Sequence, residues 1–409
     1  MAQKLKFGNG TWATKKGSTL AYNDENNNYK PLPFTTTRNS IATRVNKQGL
    51  IEVVGNDVPR IDYTDSADGV LLLENSATNV IINSEDFTGS EWVLFGVGTG
   101  VSPIVTSNYA TSPDGTQNAT RIQFNLNGGT LNTDRSFIRY SSFASQTDYY
   151  YSCYVKSANG QEQKLLWQHG GDDNEFTVTN EWQRVELDRN GNAETFTGFS
   201  LRGGISTVDS ADVLIWGFQV ERNSVATSYI PTSGSSVTRQ ADTASESGNS
   251  EVYGNNGGVL FWNAKAFDNM GNLALTGSNG TNAERFQLYF DTTTSDRIKS
   301  NVVTGNVAIA PMQSQVLDVT TFHKCANSFA NNNHALWVDG FKVDTDTSGG
   351  VSQGVDRLNF DNGTGTSDFY GSTKEIAYYD TALTDAELEV LTSYETLTEL
   401  VTELNLNTL

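Results

Sequence analysis

The decapeptide His334-Ala-Leu-Trp-Val-Asp-Gly-Phe-Lys-Val343 places the tightest local constraint on this chain. Asp-Gly tolerates positive φ at both central positions of a type I′ turn, and that turn has the twist that two antiparallel strands need. The segment therefore predicts a hairpin closed at Asp339-Gly340. Strand-like alternation recurs upstream. Tyr149, Tyr151, Cys153 and Val155 fall on one face, which predicts a strand with a buried thiol. Leu214, Trp216, Phe218 and Val220 are predicted to share one buried face in the same way, and residues 163–168 and 182–187 are shorter candidates. Trp262 and Trp337, like Trp216, sit among apolar neighbours and read as core.

Between these runs the chain is crowded with Gly, Ser, Thr and Asn, the composition of many short strands joined by turns. A length of 409 residues exceeds one ordinary sandwich and suffices for two. The expected fold is all-β: two tandem antiparallel β-sandwiches of jelly-roll type, an extended N-terminal segment and a short C-terminal helix. Residues 1–83, with Pro31, Pro33 and Pro59, read as an extended or loosely folded segment. A first sandwich is expected over 84–242 and a second over 252–395. The small-polar run 243–251 between them reads as a linker or surface crossing. No short-period repeat is visible, which argues against solenoids and propellers.

The C-terminus carries a capping box, Thr384-Asp-Ala-Glu387, which predicts a helix start. Val390, Tyr394, Leu397, Val401 and Leu404 step by four, three, four and three, an a/d seam that runs into a helical tail over 396–409. Two readings stay open: an amphipathic tail packed on its own domain, or an oligomerisation helix, for which a homotrimer is favoured. Threonines between 392 and 408 weaken intrinsic helicity, so the seam needs a partner surface.

A net charge of -20 argues against nucleic acid as a partner. Residues 1–62 are the exception, with nine Lys and Arg against five Asp and Glu. This is either solvated surface charge or a face that docks on an acidic partner. No apolar stretch approaches 18 residues, so membrane insertion is not expected, and the N-terminus lacks the apolar core of a signal peptide. Synthesis in a host cytoplasm is the corresponding expectation. Cys153 and Cys325 fall in different predicted domains and lack metal-ligand spacing, so no disulfide is expected.

His169, His323 and His334 have no metal-binding spacing, and neither a serine elbow nor a glycine-rich phosphate loop is present. The chain therefore reads as a non-enzyme. A jelly-roll polysaccharide-degrading enzyme with two carboxylates on separate strands is the rival, since their separation is not written in sequence. His169-Gly-Gly-Asp-Asp-Asn-Glu175 packs oxygen ligands behind a Gly-Gly pair. Asp172, Asp173 and Glu175 are candidate calcium ligands there, against the alternative of a solvated acidic turn. Trp167 lies beside that loop, and Trp167, His169, Asp172 and Asp173 form a candidate glycan contact, with Trp167 as the stacking platform unless it belongs to the core.

Three stretches carry a resemblance. The first is Arg38-Asn-Ser-Ile-Ala-Thr-Arg-Val-Asn-Lys-Gln-Gly-Leu-Ile-Glu52 with Pro59-Arg-Ile-Asp-Tyr63, Leu71-Leu-Leu-Glu74, Thr78-Asn79, Asn83-Ser-Glu-Asp-Phe87 and Trp92. The second is Gln219-Val-Glu-Arg222 with Ala226-Thr-Ser-Tyr-Ile-Pro-Thr-Ser-Gly234 and Thr238-Arg239. The third is Phe369-Tyr-Gly-Ser-Thr-Lys-Glu-Ile-Ala-Tyr-Tyr-Asp380 leading into Leu383-Thr-Asp-Ala-Glu-Leu-Glu-Val-Leu391. In this order they resemble bacteriophage fibre or appendage proteins with a carbohydrate-binding-module-like jelly roll and a laminin-G-like, concanavalin A-like final domain. The resemblance implies a place on the virion surface, attachment to other virion proteins through residues 1–83, and contact with host surface glycans during adsorption. A purely structural decoration protein is the alternative. No cofactor is required; a structural calcium ion, of the kind related sandwiches hold, is the one candidate. Fold likeness alone does not fix function.

Overall fold

A computed structural model describes residues 3–20, 30–141, 149–169, 172–188, 196–267, 271–292 and 296–404. It is all-β, with antiparallel sheets and two short helices at the C-terminal end. The chain folds as two compact units. One comprises Met1–Gln48, Val53–Ser76 and Gln240–Leu409, and the other Gly49–Glu52 and Ala77–Arg239.

The inner unit, built on Ala77–Arg239, is a sandwich. One sheet runs in the order Trp92–Val97, Arg135–Tyr140, Thr197–Arg202, Gln163–His169, Asp172–Val178. The other is led by Val101–Ala110, Ala119–Asn125, Ser210–Arg222, Tyr149–Ser157 and Gln183–Asp188. Inward residues of both sheets, among them Tyr151, Cys153, Val155, Leu165, Trp167 and Phe199, form one core. The strand 210–222 departs from the predicted single face. Gly217 has φ +64, and the pairing register with the 149–157 strand shifts between Ser152 and Tyr154. This bulge inverts the pleat. Val213 and Ile215 before it and Phe218 and Val220 after it point into the core, while Trp216 packs outside against Tyr229 and Tyr154.

The outer unit stacks an eight-stranded and a six-stranded sheet. Gly257–Ala266 and Gly371–Tyr379 lie at the centre of the eight-stranded sheet, flanked on one side by His323–Ala330, Asn333–Val338 and Phe341–Asp346. Arg297–Thr304, Arg285–Asp291 and Asn272–Ser278 lead the facing sheet. Between them Trp262 packs edge-on against Phe290 and Phe369. The hairpin forms as predicted: Val338 pairs with Phe341, and Asp339 and Gly340 have φ +50 and +85.

The N-terminal segment corrects the expectation of an extended, separate piece. Gln3–Gly8 and Val70–Leu73 both pair with Gly371–Tyr379, and Arg60–Asp62 pairs with Val70–Leu73. Leu5, Phe7, Phe34, Ile61, Leu71 and Leu73 join the core of the outer unit. The expected linker is likewise a strand: Thr243–Ser245 pairs with Phe34–Thr37, and Ala244 is buried. These strands are three to six residues long. Periodicity is unreadable over so few positions, and pairing with long neighbours supplies what propensity does not.

Four buried charges close this junction. Asp242 accepts from Arg38 Nη1 at 2.8 Å and also from Arg60 Nη2, while Arg60 Nη1 donates to Glu74 at 2.6 Å. None of the four side chains is more than 3% exposed. Arg38 also donates to the Ser40, Val58 and Gly55 carbonyls. Burial by itself would lower the Arg60 pKa, but the charges of Asp242 and Glu74 hold it above its ordinary value. Removing Asp242 strands two guanidinium groups without their shared anion. Asp242→Ala is expected to lower stability by about 3–5 kcal/mol in urea denaturation.

The C-terminal helix differs from the predicted continuous seam. Helix α1 spans Asp385–Thr392 with the Thr384 capping box in place, and α2 spans Leu397–Glu403. Tyr394 sits in the break, where its hydroxyl bonds Asp339 at 2.8 Å and the Phe322 carbonyl at 3.1 Å. The five seam residues therefore do not share one helix, and 405–409 lie outside the described residues. Asp339 also accepts from His323 Nδ1 at 2.6 Å, and His323 Nε2 lies 2.9 Å from the Asp318 carbonyl. Burial opposes the imidazolium, but Asp339 prevails and raises the His323 pKa above 6.5. A raised imidazole stabilises fully below the unfolded value and loses its effect as pH climbs through the folded one. Stability is expected to fall as pH climbs past the ordinary imidazole value of 6.5, and His323→Gln to flatten that slope, read by denaturant melts.

Candidate functional site

The structure takes the sequence-predicted residues apart. Trp167 is 2% exposed and packs against Phe199 and Phe218, with Nε1 donating to Thr197 Oγ1 at 2.9 Å. It is a core residue and offers no free ring face to a sugar, which corrects its reading as a platform. His169 is fully buried, its ring stacked on Tyr151 and its Nε2 2.9 Å from Asn174 Nδ2. Inward placement follows from pleat: Leu165, Trp167 and His169 are alternate residues of one strand.

The acidic segment is a strand rather than a loop. His169 pairs with Asp172 and Gln168 with Asp173, so Asp172–Val178 runs back along Gln163–His169. Asp173 and Glu175 face outward. Asp173 is 3% exposed at its side chain, paired with Arg202 Nη1 at 2.6 Å and accepting from Gln168 Nε2 at 3.1 Å. Glu175 accepts from the Thr207 amide and hydroxyl. Both carboxylates are thus taken by separate protein partners, and no group of three or more His, Cys, Asp or Glu among the described residues is arranged to hold a metal ion. The Asp172 side chain lies outside the described residues.

What gathers on the outward face of this sheet is a set of residues that sequence reasoning missed. In the strand Arg135–Tyr140, Ser136, Ile138 and Tyr140 turn inward and Arg135, Phe137 and Arg139 turn outward. Phe95, directly opposite Phe137, stacks on it at 4.8 Å between ring centroids. The Arg139 guanidinium lies over two rings, 5.4 Å from Phe95 and 4.9 Å from Phe196. Arg202 lies opposite Arg135. Burial, and then the like charge of Arg202, hold the Arg135 pKa below its ordinary value, with Asp173 partly offsetting them. Beneath these arginines Ser200 is fully buried, and its Oγ has no hydrogen-bond partner; Arg139 Nε is likewise buried and unpartnered. Buried polar atoms left unpaired cost about 1–3 kcal/mol each. The Arg-x-Phe-x-Arg alternation at 135–139 was the available sequence signal.

Chemically this face offers aromatic edges and planar, always-charged donors. Guanidinium forks suit carboxylates and vicinal hydroxyls, and rings suit the apolar faces of pyranoses.

No family model and no curated protein matches the chain. Solved structures do. A CBM40 module of the Ruminococcus gnavus IT-sialidase covers 36% of this chain and 94% of its own length, at 17% identity and a TM-score of 0.30. Domain 4 of AbnA, a GH43 extracellular arabinanase from Geobacillus stearothermophilus, covers 42% and 84%, at 13% identity and 0.31. Trypanosoma rangeli sialidase covers 91% of this chain and 81% of its own, at 11% identity and 0.28. These neighbours are thus a carbohydrate-binding module, a domain of an arabinanase and a sialidase. The full-length neighbours overturn the expectation of a non-enzyme, which is withdrawn, although scores this low assign no reaction in its place.

The core role of Trp167 has a direct check: Trp167→Ala is expected to lower stability by about 3–5 kcal/mol in urea melts.

Proposed function

We propose that the chain is a virion-appendage subunit that contacts acidic glycans of the host surface through the outward face of the five-stranded sheet. The observation that carries the glycan reading is the cluster of Phe95, Phe137 and Arg139 with Arg135 and Arg202, on a chain whose overall charge is -20. On so acidic a protein, a guanidinium-rich sheet face is a local exception that favours anionic ligands. Carboxylate-bearing sugars meet both halves of the face, rings against the sugar plane and guanidinium groups against the charge. The virion location rests on the sequence resemblance. Weak contacts of this kind become useful adhesion when many copies act together.

Glycan arrays and calorimetry on the intact chain test the reading. Binding to acidic envelope polysaccharides is expected, weakened by salt. Arg139→Met and Phe95→Ala are each expected to reduce it about ten-fold with melting temperature nearly unchanged. Absence of binding to every host envelope polysaccharide would overturn the glycan reading. Antibodies against the chain are expected to label intact particles; unlabelled particles would remove the virion assignment.

A further inference from the structure

In the outer unit, α2 lies over a cavity of about 530 Å³ whose lining includes Asn263, Lys324, Lys374, Glu375, Glu399 and Glu403. Lys324 lies opposite Asn263 in the sheet, and Asn263 lies opposite Glu375, so the floor is a row of polar side chains across three strands. Glu375 is already neutralised by Lys6 at 2.8 Å. The two remaining lysines are answered from above. Lys324 Nζ donates to Glu399 at 2.6 Å and to the Ser393 carbonyl at 3.1 Å, and Lys374 Nζ pairs with Glu403. Each ammonium also has an aromatic neighbour, Tyr394 for Lys324 and Phe322 for Lys374 at 4.1 Å.

Little else holds α2. It buries none of its residues, and Leu397 is 72% exposed. By contrast α1 is anchored by Leu388 and Thr392, both buried. Ser393 and Thr396 at the break have extended backbones, so α2 hangs from a short extended connection and is fastened by two charge pairs. Glu395, Glu399 and Glu403 recur every fourth residue, one acidic stripe along the segment that lines the cavity.

The lysine side chains are only 13% and 15% exposed. If α2 left, two mostly buried ammonium groups would lose their anions, a costly state. Whatever displaces α2 must therefore bring two carboxylates of its own, about one helical turn apart. We propose that this two-lysine cavity is a docking site for an acidic helical peptide of a partner protein, and that α2, lying over it, holds the two lysines as an internal competitor in the resting chain.

The test uses the full chain carrying Glu399→Gln and Glu403→Gln, probed with a labelled synthetic peptide of residues 393–404 in native sequence. Fluorescence anisotropy at low salt is expected to show peptide binding to this variant about ten-fold tighter than to the unaltered chain, lost at about 1 M salt. Adding Lys324→Gln and Lys374→Gln is expected to abolish it. Hydrogen exchange supplies a second reading: α2 amides lose protection in the double-Gln variant while α1 keeps its own. Equal binding to both chains, binding indifferent to the lysine substitutions, or no binding to the double-Gln variant at millimolar peptide would each overturn the proposal, as would unchanged protection of α2.

Discussion

The joining of the N-terminal stretch to the outer unit turns on Asp242 being reached by two arginines at once. Arg38 and Arg60 come from the N-terminal stretch, Glu74 from the strand edge just after Val70–Leu73, and Asp242 from the far side of the inserted sandwich. A buried network of this kind contributes little net stability over an apolar equivalent, but it fixes which segments meet. Backbone bonds sharpen the choice, since the Glu74 amide donates to Asp242 and the Asp242 amide to the Glu74 carbonyl. With these contacts made, Val70–Leu73 can pair with Gly371–Tyr379 and Thr243–Ser245 with Phe34–Thr37.

That network explains what the sequence resemblance was tracking. Arg38, Arg60 and Glu74 belong to the lead-in pattern, and Gln219, Glu221 and Tyr229 to the second. Glu221 accepts from the Thr227 amide and hydroxyl, and Gln219 Oε1 from the Ile230 amide. The motifs are buried hydrogen-bond solutions of the scaffold, so they announced fold and carried no information about a site.

Legibility followed the range of the interaction. The Asp339-Gly340 hairpin and the Thr384 capping box are closed by neighbours within a few residues, and both were readable. The Gly217 bulge was not, because a strand pattern interrupted by one residue still looks periodic until its partner's register is known. The candidate face was harder still. Phe95, Phe196 and the strand carrying Phe137 and Arg139 are three separate stretches that only sheet order brings together, whereas the conspicuous Trp167 and its acidic neighbours drew notice by proximity in sequence. Pleat then sent Trp167 inward and Asp173 outward.

The inner sandwich leaves and re-enters the chain at one place. Ala77 pairs directly with Arg239, the first and last residues of its main segment, while Glu74 and Asp242 bond to one another just beyond them. Gly49–Glu52 apart, the whole of that sandwich is thus an insertion whose two ends are strand neighbours, closed behind by the outer unit's own contacts. Such a junction works as a cassette port. A different sandwich would meet the same two paired strands at its entry and exit, so this point asks of a replacement chiefly that its ends lie side by side.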